Sequence, residues 1–286
     1  MTAARQLSLF EPPPALAAES IGDGAANMAS LTRFVVLGSG SSGNSLVVES
    51  RGRRVLIDAG FACRELERRL RAVGVEPRSI EAIVLTHEHA DHCRGAPRFA
   101  ARYRIPVYGT RGTLGGPWLR QLCGATPLRP EARLEVAGLR LETFPVSHDA
   151  RQPVGVVVED DAGRRLGLLA DLGEATASVW ARLRDLSALV IESNHDLAML
   201  RQGPYPWSLK QRVAGTQGHL SNVEAAASVR VLLADGLHTV VLYHLSRINN
   251  VPALAFEAVA AAVERAGSTS RVELSGQFEP TPWMAV

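Results

Sequence analysis

Short apolar runs alternate along the chain with polar or glycine-rich breaks, and the runs have the length of strands rather than helices. Phe34–Leu37, Ser45–Glu49, Arg54–Ile57 and Ala82–Leu85 are rich in Val, Leu and Ile. Pro106–Tyr108, Leu134–Val136, Leu139–Pro145, Val154–Glu159, Leu166–Leu169, Ala188–Ile191, Thr239–Tyr243 and Arg271–Leu274 continue the series. Turns at Arg51-Gly52, Ala137-Gly138 and Asp160–Gly163 join neighbouring runs into hairpins. Helical patterning covers 62–72, stopped by Gly74, then Ala96–Arg104, 111–122, 174–184, 223–234 and 252–265. Ser221 or Asn222 is placed to cap the helix at 223. Residues 195–217 read more loosely, as a short helix, a Gly/Pro-rich stretch and a helical piece at Ser208–Val213. Each half of the chain carries several strands and then helices, with no linker between the halves. That is the pattern of one α/β domain over 31–286.

Residues 1–30 break the pattern. They are rich in Ala, Pro and Gly, with Pro12-Pro13-Pro14 in the middle, and offer little to bury, so they read as a disordered tail. Within it, Gln6-Leu7-Ser8-Leu9-Phe10 places three large apolar side chains where no core of their own exists.

Composition narrows the picture. At 286 residues and 46% hydrophobic, the chain can bury a large core. A formal net charge of +2 gives no global nucleic-acid signature, although arginines are locally dense. The arginines of 62–72 are most simply a solvated face. The three cysteines, Cys63, Cys93 and Cys123, are dispersed and odd in number, which fits a reducing cytoplasm rather than a disulfide framework. No stretch has the length and apolarity of a membrane span, and the N-terminus lacks the form of a signal peptide.

Chemistry concentrates at Thr86-His87-Glu88-His89-Ala90-Asp91-His92, directly after the apolar run Ala82–Leu85 and before a helical pattern. Imidazoles and carboxylate suit zinc, manganese or iron. Donors this dense exceed what one open site needs, which points to two metals, with His87 and His89 on one and Asp91 and His92 on the other. Cys93 reads as a small buried residue rather than a ligand. Asp58 ends a buried strand, His148 follows another, and Asp171 closes a hairpin. By position alone each has a structural explanation as well as a functional one. The loop Ser39-Gly40-Ser41-Ser42-Gly43-Asn44-Ser45 can aim amides and hydroxyls at a phosphate, a weak signal by itself.

The histidine cluster resembles that of the metallo-β-lactamase superfamily. With the Ser/Gly loop, Glu192-Ser193-Asn194-His195-Asp196, Gly218-His219-Leu220-Ser221-Asn222 and His244-Leu245-Ser246-Arg247, the chain resembles the YycJ/WalJ-type nucleases, themselves similar to RNase Z. The resemblance implies an αββα sandwich of two mixed sheets with helices outside, and no inserted β-CASP domain. It adds His148 to the first metal, His244 to the second and Asp171 between them, and makes Asp58 an orienting partner of the metal histidines. It casts Asp91, Glu192 and His219 as catalytic, with Glu192 holding His219 for proton donation to the leaving oxygen. The implied activity is a 5′→3′ DNA exonuclease in repair or replication, using two divalent ions, zinc or manganese. An RNA-processing nuclease of the RNase Z type and a thioester or lactam metallohydrolase remain as alternatives. Ser41, Ser42, Asn44, Lys210, Arg212 and Arg247 are candidate substrate contacts, and Tyr205 and Trp207 could stack on bases or pack in the core. Gln6-Leu7-Ser8-Leu9-Phe10 resembles the short peptide by which bacterial repair and polymerase proteins dock on the β sliding clamp.

Overall fold

Residues 32–286 are described by a computed structural model. The first apolar runs form β1 (Arg33–Gly38), β2 (Ser45–Ser50), β3 (Arg53–Ile57), β4 (Ile80–Val84), β5 (Val107–Thr110) and β6 (Thr126–Leu128). The later runs form β7 (Ala132–Val136), β8 (Leu139–Pro145), β9 (Val154–Glu159), β10 (Arg165–Leu169), β11 (Ala188–Glu192), β12 (Thr239–Tyr243) and β13 (Arg271–Leu274), and the chain ends on β14 (Met284–Ala285). Two seven-stranded sheets result, ordered β14-β1-β2-β3-β4-β5-β6 and β13-β12-β11-β10-β9-β8-β7. Both mix parallel and antiparallel pairs.

Strands in the middle of each sheet are buried on both faces, which explains why they read as continuous apolar runs. Alternate residues face opposite ways. Phe34, Val36, Leu46, Val156, Leu168, Val190 and Tyr243 fill the space between the sheets. Val35, Leu37 and Ile83 face outward onto Leu66, Leu70 and Phe99 of the helices Cys63–Ala72 and Ala96–Tyr103. On the other side, Leu189, Ile191, Val240 and Leu242 meet Val229 and Val259 of the helices Asn222–Leu232 and Pro252–Arg265. This is the expected αββα sandwich. Ser221 caps Asn222–Leu232 in a capping box with Glu224.

Three local expectations change. The helix read at 111–122 is only a turn at Arg111–Leu114 and a 3₁₀ turn at Pro117–Leu119. Gly115-Gly116-Pro117 interrupts it, since two glycines lack helix propensity and proline cannot donate. The short strands β6 and β14 have no hydrophobic alternation long enough to read. The arginine face of Cys63–Ala72 is not wholly solvated either: Arg69 is buried, lies over the Phe61 ring, and donates to the carbonyls of Leu37 and Gln277.

Three loops of the first half meet closely where the first sheet ends. Asp91 O accepts from Asn44 N at 2.7 Å, and Asn44 O accepts from Gly60 N at 3.0 Å. A Cβ on Gly60 would lie 1.7 Å from Asp91 O and 2.7 Å from Asn44 N, both backbone atoms that cannot swing aside. Gly60→Ala should therefore lower stability by about 1–3 kcal/mol through forced backbone shifts. An unchanged thermal midpoint in calorimetry would show that the loops have room the geometry denies.

Candidate metal centre

One edge of the sandwich collects the polar side chains because the strands that deliver them point the same way. β3 and β4 run parallel, as do β10, β11 and β12. β8 is antiparallel to β9, which is antiparallel to β10, so β8 shares the direction of β10. Asp58 follows β3, His87, His89, Asp91 and His92 follow β4, His148 follows β8, and Asp171 follows β10. Glu192 is the last residue of β11, and His244 follows β12.

The expected metal ligands fall into two groups joined by one carboxylate, and Asp171, Glu192, His219 and His244 make a third, overlapping cluster of possible donors. His87, His89, His148 and Asp171 present atoms within 4.8 Å of one another, and so do Asp91, His92 and His244. Asp171 joins them: its Oδ2 lies 3.8 Å from His87 Nε2 and 3.4 Å from His148 Nε2, while its Oδ1 lies 3.2 Å from His92 Nε2 and 2.9 Å from His244 Nδ1. His87 Nε2, His244 Nε2 and Asp171 Oδ1 are buried and lack a hydrogen-bond partner. Buried polar atoms left unpaired are costly, and convergent imidazole and carboxylate donors of this kind suit divalent metals.

Outer contacts hold the rings in place. Asp58 Oδ2 accepts from His92 Nδ1 at 2.8 Å and from Thr86 Oγ1 at 2.8 Å, and its Oδ1 accepts from Thr86 N at 2.8 Å. The resemblance assigns Asp58 an orienting role, and in the structure its carboxylate contacts His92 and Thr86. His148 Nδ1 donates to Gly218 O at 2.9 Å, which leaves Nε2 facing the first group. Asp58 and His244 both sit at positive φ, 59° and 54°, a conformation uncommon for residues other than glycine. At these strand ends the backbone must turn abruptly to aim a side chain along the sheet edge.

Electrostatics divides the two groups in the metal-free protein. Burial drives His87 well below the ordinary histidine value and also lowers His148, so their lone pairs are free. Burial would depress His92 as well, but Asp171, Asp91 and Asp58 together push it up to about 10. Asp171 likewise overrides burial and holds His244 well above its usual value. Metal ligands must be deprotonated, so cation binding at the second group would compete with protons.

Glu192 and His219 lie beside both groups. Glu192 is fully buried, and its Oε1 accepts from His219 Nδ1 at 2.6 Å and His244 Nδ1 at 3.1 Å. Its Oε2 accepts from the backbone amides of Leu172 and Leu220 at 2.9 and 3.1 Å. With both oxygens engaged, Glu192 is built to orient rings. His219 is pulled down by burial, but Glu192 outweighs this and raises it.

The remaining sequence-selected residues scatter around the rim. Ser41 and Ser42 are exposed in their loop. Asn44 is not at the surface: it is fully buried, and its Nδ2 lies 3.3 Å from Asp91 Oδ2 and 3.0 Å from His92 Nε2, beneath the donors. Arg212 pairs with Asp149, whose Oδ1 is 3.4 Å from His148 Nε2 and 3.8 Å from His89 Nε2, which puts Arg212 at the edge of the first group. Lys210, a candidate phosphate contact, donates its Nζ to Arg201 O. Arg247 is exposed against Phe278. Trp207 is 70% exposed and so not a core residue, whereas Tyr205 is half-buried. Cys93 is a buried residue whose thiol donates to Glu88 O. Asp149 and the Gly218 carbonyl carried no sequence signal, since one is a lone acid in a loop and the other is backbone. Gln6–Phe10 lies outside the described residues.

Residues 53–245 match the family described as the β-lactamase superfamily domain. The chain belongs to this superfamily, in the branch of the YycJ/WalJ-type nucleases, and is a metal-dependent hydrolase. It is 33% identical over 240 residues to the exodeoxyribonuclease YycJ of Bacillus anthracis, covering 82% of this chain and 90% of that one. To the exodeoxyribonuclease WalJ of Streptococcus pneumoniae it is 32% identical over 230 residues, covering 78% and 85%. Among solved structures, the metallo-β-lactamase fold protein YhfI of Bacillus subtilis shares the fold with a TM-score of 0.67 at 15% identity, over 88% of this chain and 99% of that one. The short form of human tRNase Z does so with a TM-score of 0.59 at 17% identity, over 87% and 98%.

Asp58→Asn keeps the size of the side chain but cannot accept from Thr86 and His92 as a carboxylate does. It should weaken metal binding roughly 10–100-fold, read by competition with a chromophoric chelator. Wild-type affinity in this variant would remove Asp58 from the metal centre.

Proposed function

We propose that the chain is a dinuclear phosphodiesterase that degrades DNA as a 5′→3′ exonuclease, and that it acts in repair or replication. The Glu192–His219 pair beside the two donor groups carries this reading. His87, His89 and His148 would hold one ion, Asp91, His92 and His244 the other, and Asp171 would bridge them. A carboxylate between two cations relieves their mutual repulsion. The donor set fits zinc or manganese. When bound, two such cations neutralise charge on a phosphodiester and acidify a water molecule.

The chain's own groups supply the rest. Glu192 fixes the His219 ring through Nδ1, which leaves Nε2 to carry the transferable proton. The raised pKa keeps that proton available near neutrality. His219 then protonates the departing sugar oxygen as general acid. Arg212, Arg247, Ser41 and Ser42 stand around the opening, where they can meet flanking phosphates, while Lys210 is a weaker candidate.

DNA is favoured over RNA because the relatives that are at least 30% identical over most of the chain are named exodeoxyribonucleases, whereas ribonuclease Z of Kineococcus radiotolerans, over 84% of this chain and 89% of that one, is 29% identical. The site chemistry is equally open to an RNase Z-type reaction, and ribonuclease Z of Salinibacter ruber is 35% identical over 123 residues, 41% of this chain and 34% of that one. A thioester or lactam hydrolase would have no need of the Glu192–His219 pair. The tail peptide Gln6-Leu7-Ser8-Leu9-Phe10 adds a second argument for DNA. Leu7, Leu9 and Phe10 would fold into a groove of the β sliding clamp, and the intervening residues would act as a tether that raises local concentration on DNA.

Purified protein with Mn²⁺ or Zn²⁺ should digest 5′-labelled DNA, single- or double-stranded, in preference to RNA, and full activity in excess chelator would overturn the reading. His219→Ala should lose about 10²–10⁴ in rate on DNA with both metals retained, but far less on a nitrophenyl phosphodiester, whose leaving group needs little protonation. Equal losses on the two substrates would refute the general-acid role. Leu9→Ala with Phe10→Ala should abolish binding to purified clamp and leave hydrolysis of short oligonucleotides unchanged. Clamp binding equal to wild type would end the docking proposal.

A further inference from the structure

Beside the second donor group, three segments are bolted together around Gln277. Gln277 is buried, and its Oε1 accepts from Ser42 N at 2.8 Å while its Nε2 donates to Gly43 O at 2.9 Å. The buried guanidinium of Arg69 donates to Gln277 O at 2.9 Å. One residue earlier, Gly276 O accepts from Ser39 N at 2.9 Å, and Ser39 Oγ in turn accepts from His244 N at 2.7 Å. Asn44 closes the connection through Asp91 and His92. The rim here is thus a rigid extension of the second group rather than a free loop.

From this anchored base Phe278 projects into solvent, 61% exposed. Arg247, three residues beyond His244, sets its guanidinium 5.2 Å from the Phe278 ring centroid. The pair offers an aromatic face and a fixed positive charge side by side. Among the described residues Phe278 joins none of the hydrophobic clusters, and its neighbour Gln277 is held by three hydrogen bonds while its own ring stays largely exposed. An aromatic ring with a cation against it is the combination that binds single strands, the ring stacking on a base and the cation meeting the backbone.

We propose that Phe278 and Arg247 form a shelf on which a base of a single DNA strand stacks, next to the phosphate under attack and on the side of the second donor group. Phe278 is a positioning residue. It holds the nucleotide so that the adjoining phosphate rests at the metal centre, and Arg247 contacts the phosphate beyond it. Stacking accepts any base, so the shelf grips a strand without selecting its sequence. A duplex end would have to yield its terminal pair to use it. The inference rests on the nuclease reading and deepens it.

Binding and hydrolysis separate the two. With the metal-loaded full-length protein and a fluorescent single-stranded phosphorothioate oligonucleotide that resists cleavage, anisotropy should give a Kd raised roughly 5- to 100-fold by Phe278→Ala and restored by Phe278→Trp. Removing one base at a time should weaken wild-type binding at one position near the end, and Phe278→Ala should be indifferent to loss of that same base. Arg247→Gln should lower the salt dependence of binding by about one phosphate contact. Equal affinity of wild type and Phe278→Ala, or an equal penalty for the missing base in both, overturns the shelf whatever the hydrolysis assay gives. Shelf-dependent binding by a wild-type protein that hydrolyses no ordinary oligonucleotide overturns the nuclease reading and leaves the shelf standing.

Discussion

A single buried carboxylate sets the terms for everything at the sheet edge. Asp171 is only 4% exposed and faces imidazoles from three strand ends. Burial alone would protonate it, but the surrounding imidazoles hold it well below the usual carboxylate range. An isolated ion at that depth would be prohibitively costly. His244 and His92 beside it favour the charged form, and bound cations would do the same. The rest of the edge is arranged to keep these partners from turning away. Asp58 ties His92 to Thr86, Gly218 ties His148, and Glu192 ties His219 and His244.

The sandwich makes such an arrangement possible by dividing the labour between its halves. β3 and β4 of the first sheet deliver Asp58 and the His87–His92 stretch, and β8, β10, β11 and β12 of the second deliver His148, Asp171, Glu192 and His244. Neither of the two ligand groups comes from one sheet alone, because the first takes His87 and His89 from one and His148 and Asp171 from the other, and the second takes Asp91 and His92 from one and His244 from the other. The apolar layer between the sheets, with Phe34, Val190 and Tyr243 fully buried, therefore fixes distances across the site as well as stabilising the fold.

Much of this was legible because it rests on local pattern. The central strands announce themselves as apolar runs, and each run that ends in His, Asp or Glu marks an edge position. What escaped has no such period. Gly115-Gly116-Pro117 broke a helix that spacing favoured, and β6 and β14 are too short to alternate. Asn44 looked like a loop residue reaching for substrate, yet it is buried beneath the donors, since a short amide can satisfy several backbone and side-chain groups at once. The rim was illegible for another reason. Gln277 acquires meaning only through partners more than two hundred residues earlier in the chain, and Phe278 only through Arg247, distances that no local pattern records.

β13 closes the second sheet, and β14 then crosses to pair with β1 in the first. Residues 275–283 make that crossing, and they include the piece that braces the Ser/Gly loop. A ribosome releases these residues after every donor from His87 to His244 has emerged. The stretch thus works as a clasp: every donor lies earlier in the chain, while the rim beside the second group is braced only when these residues return to the first sheet. A chain that has emerged only as far as His244 holds every donor but lacks the brace of its doorway.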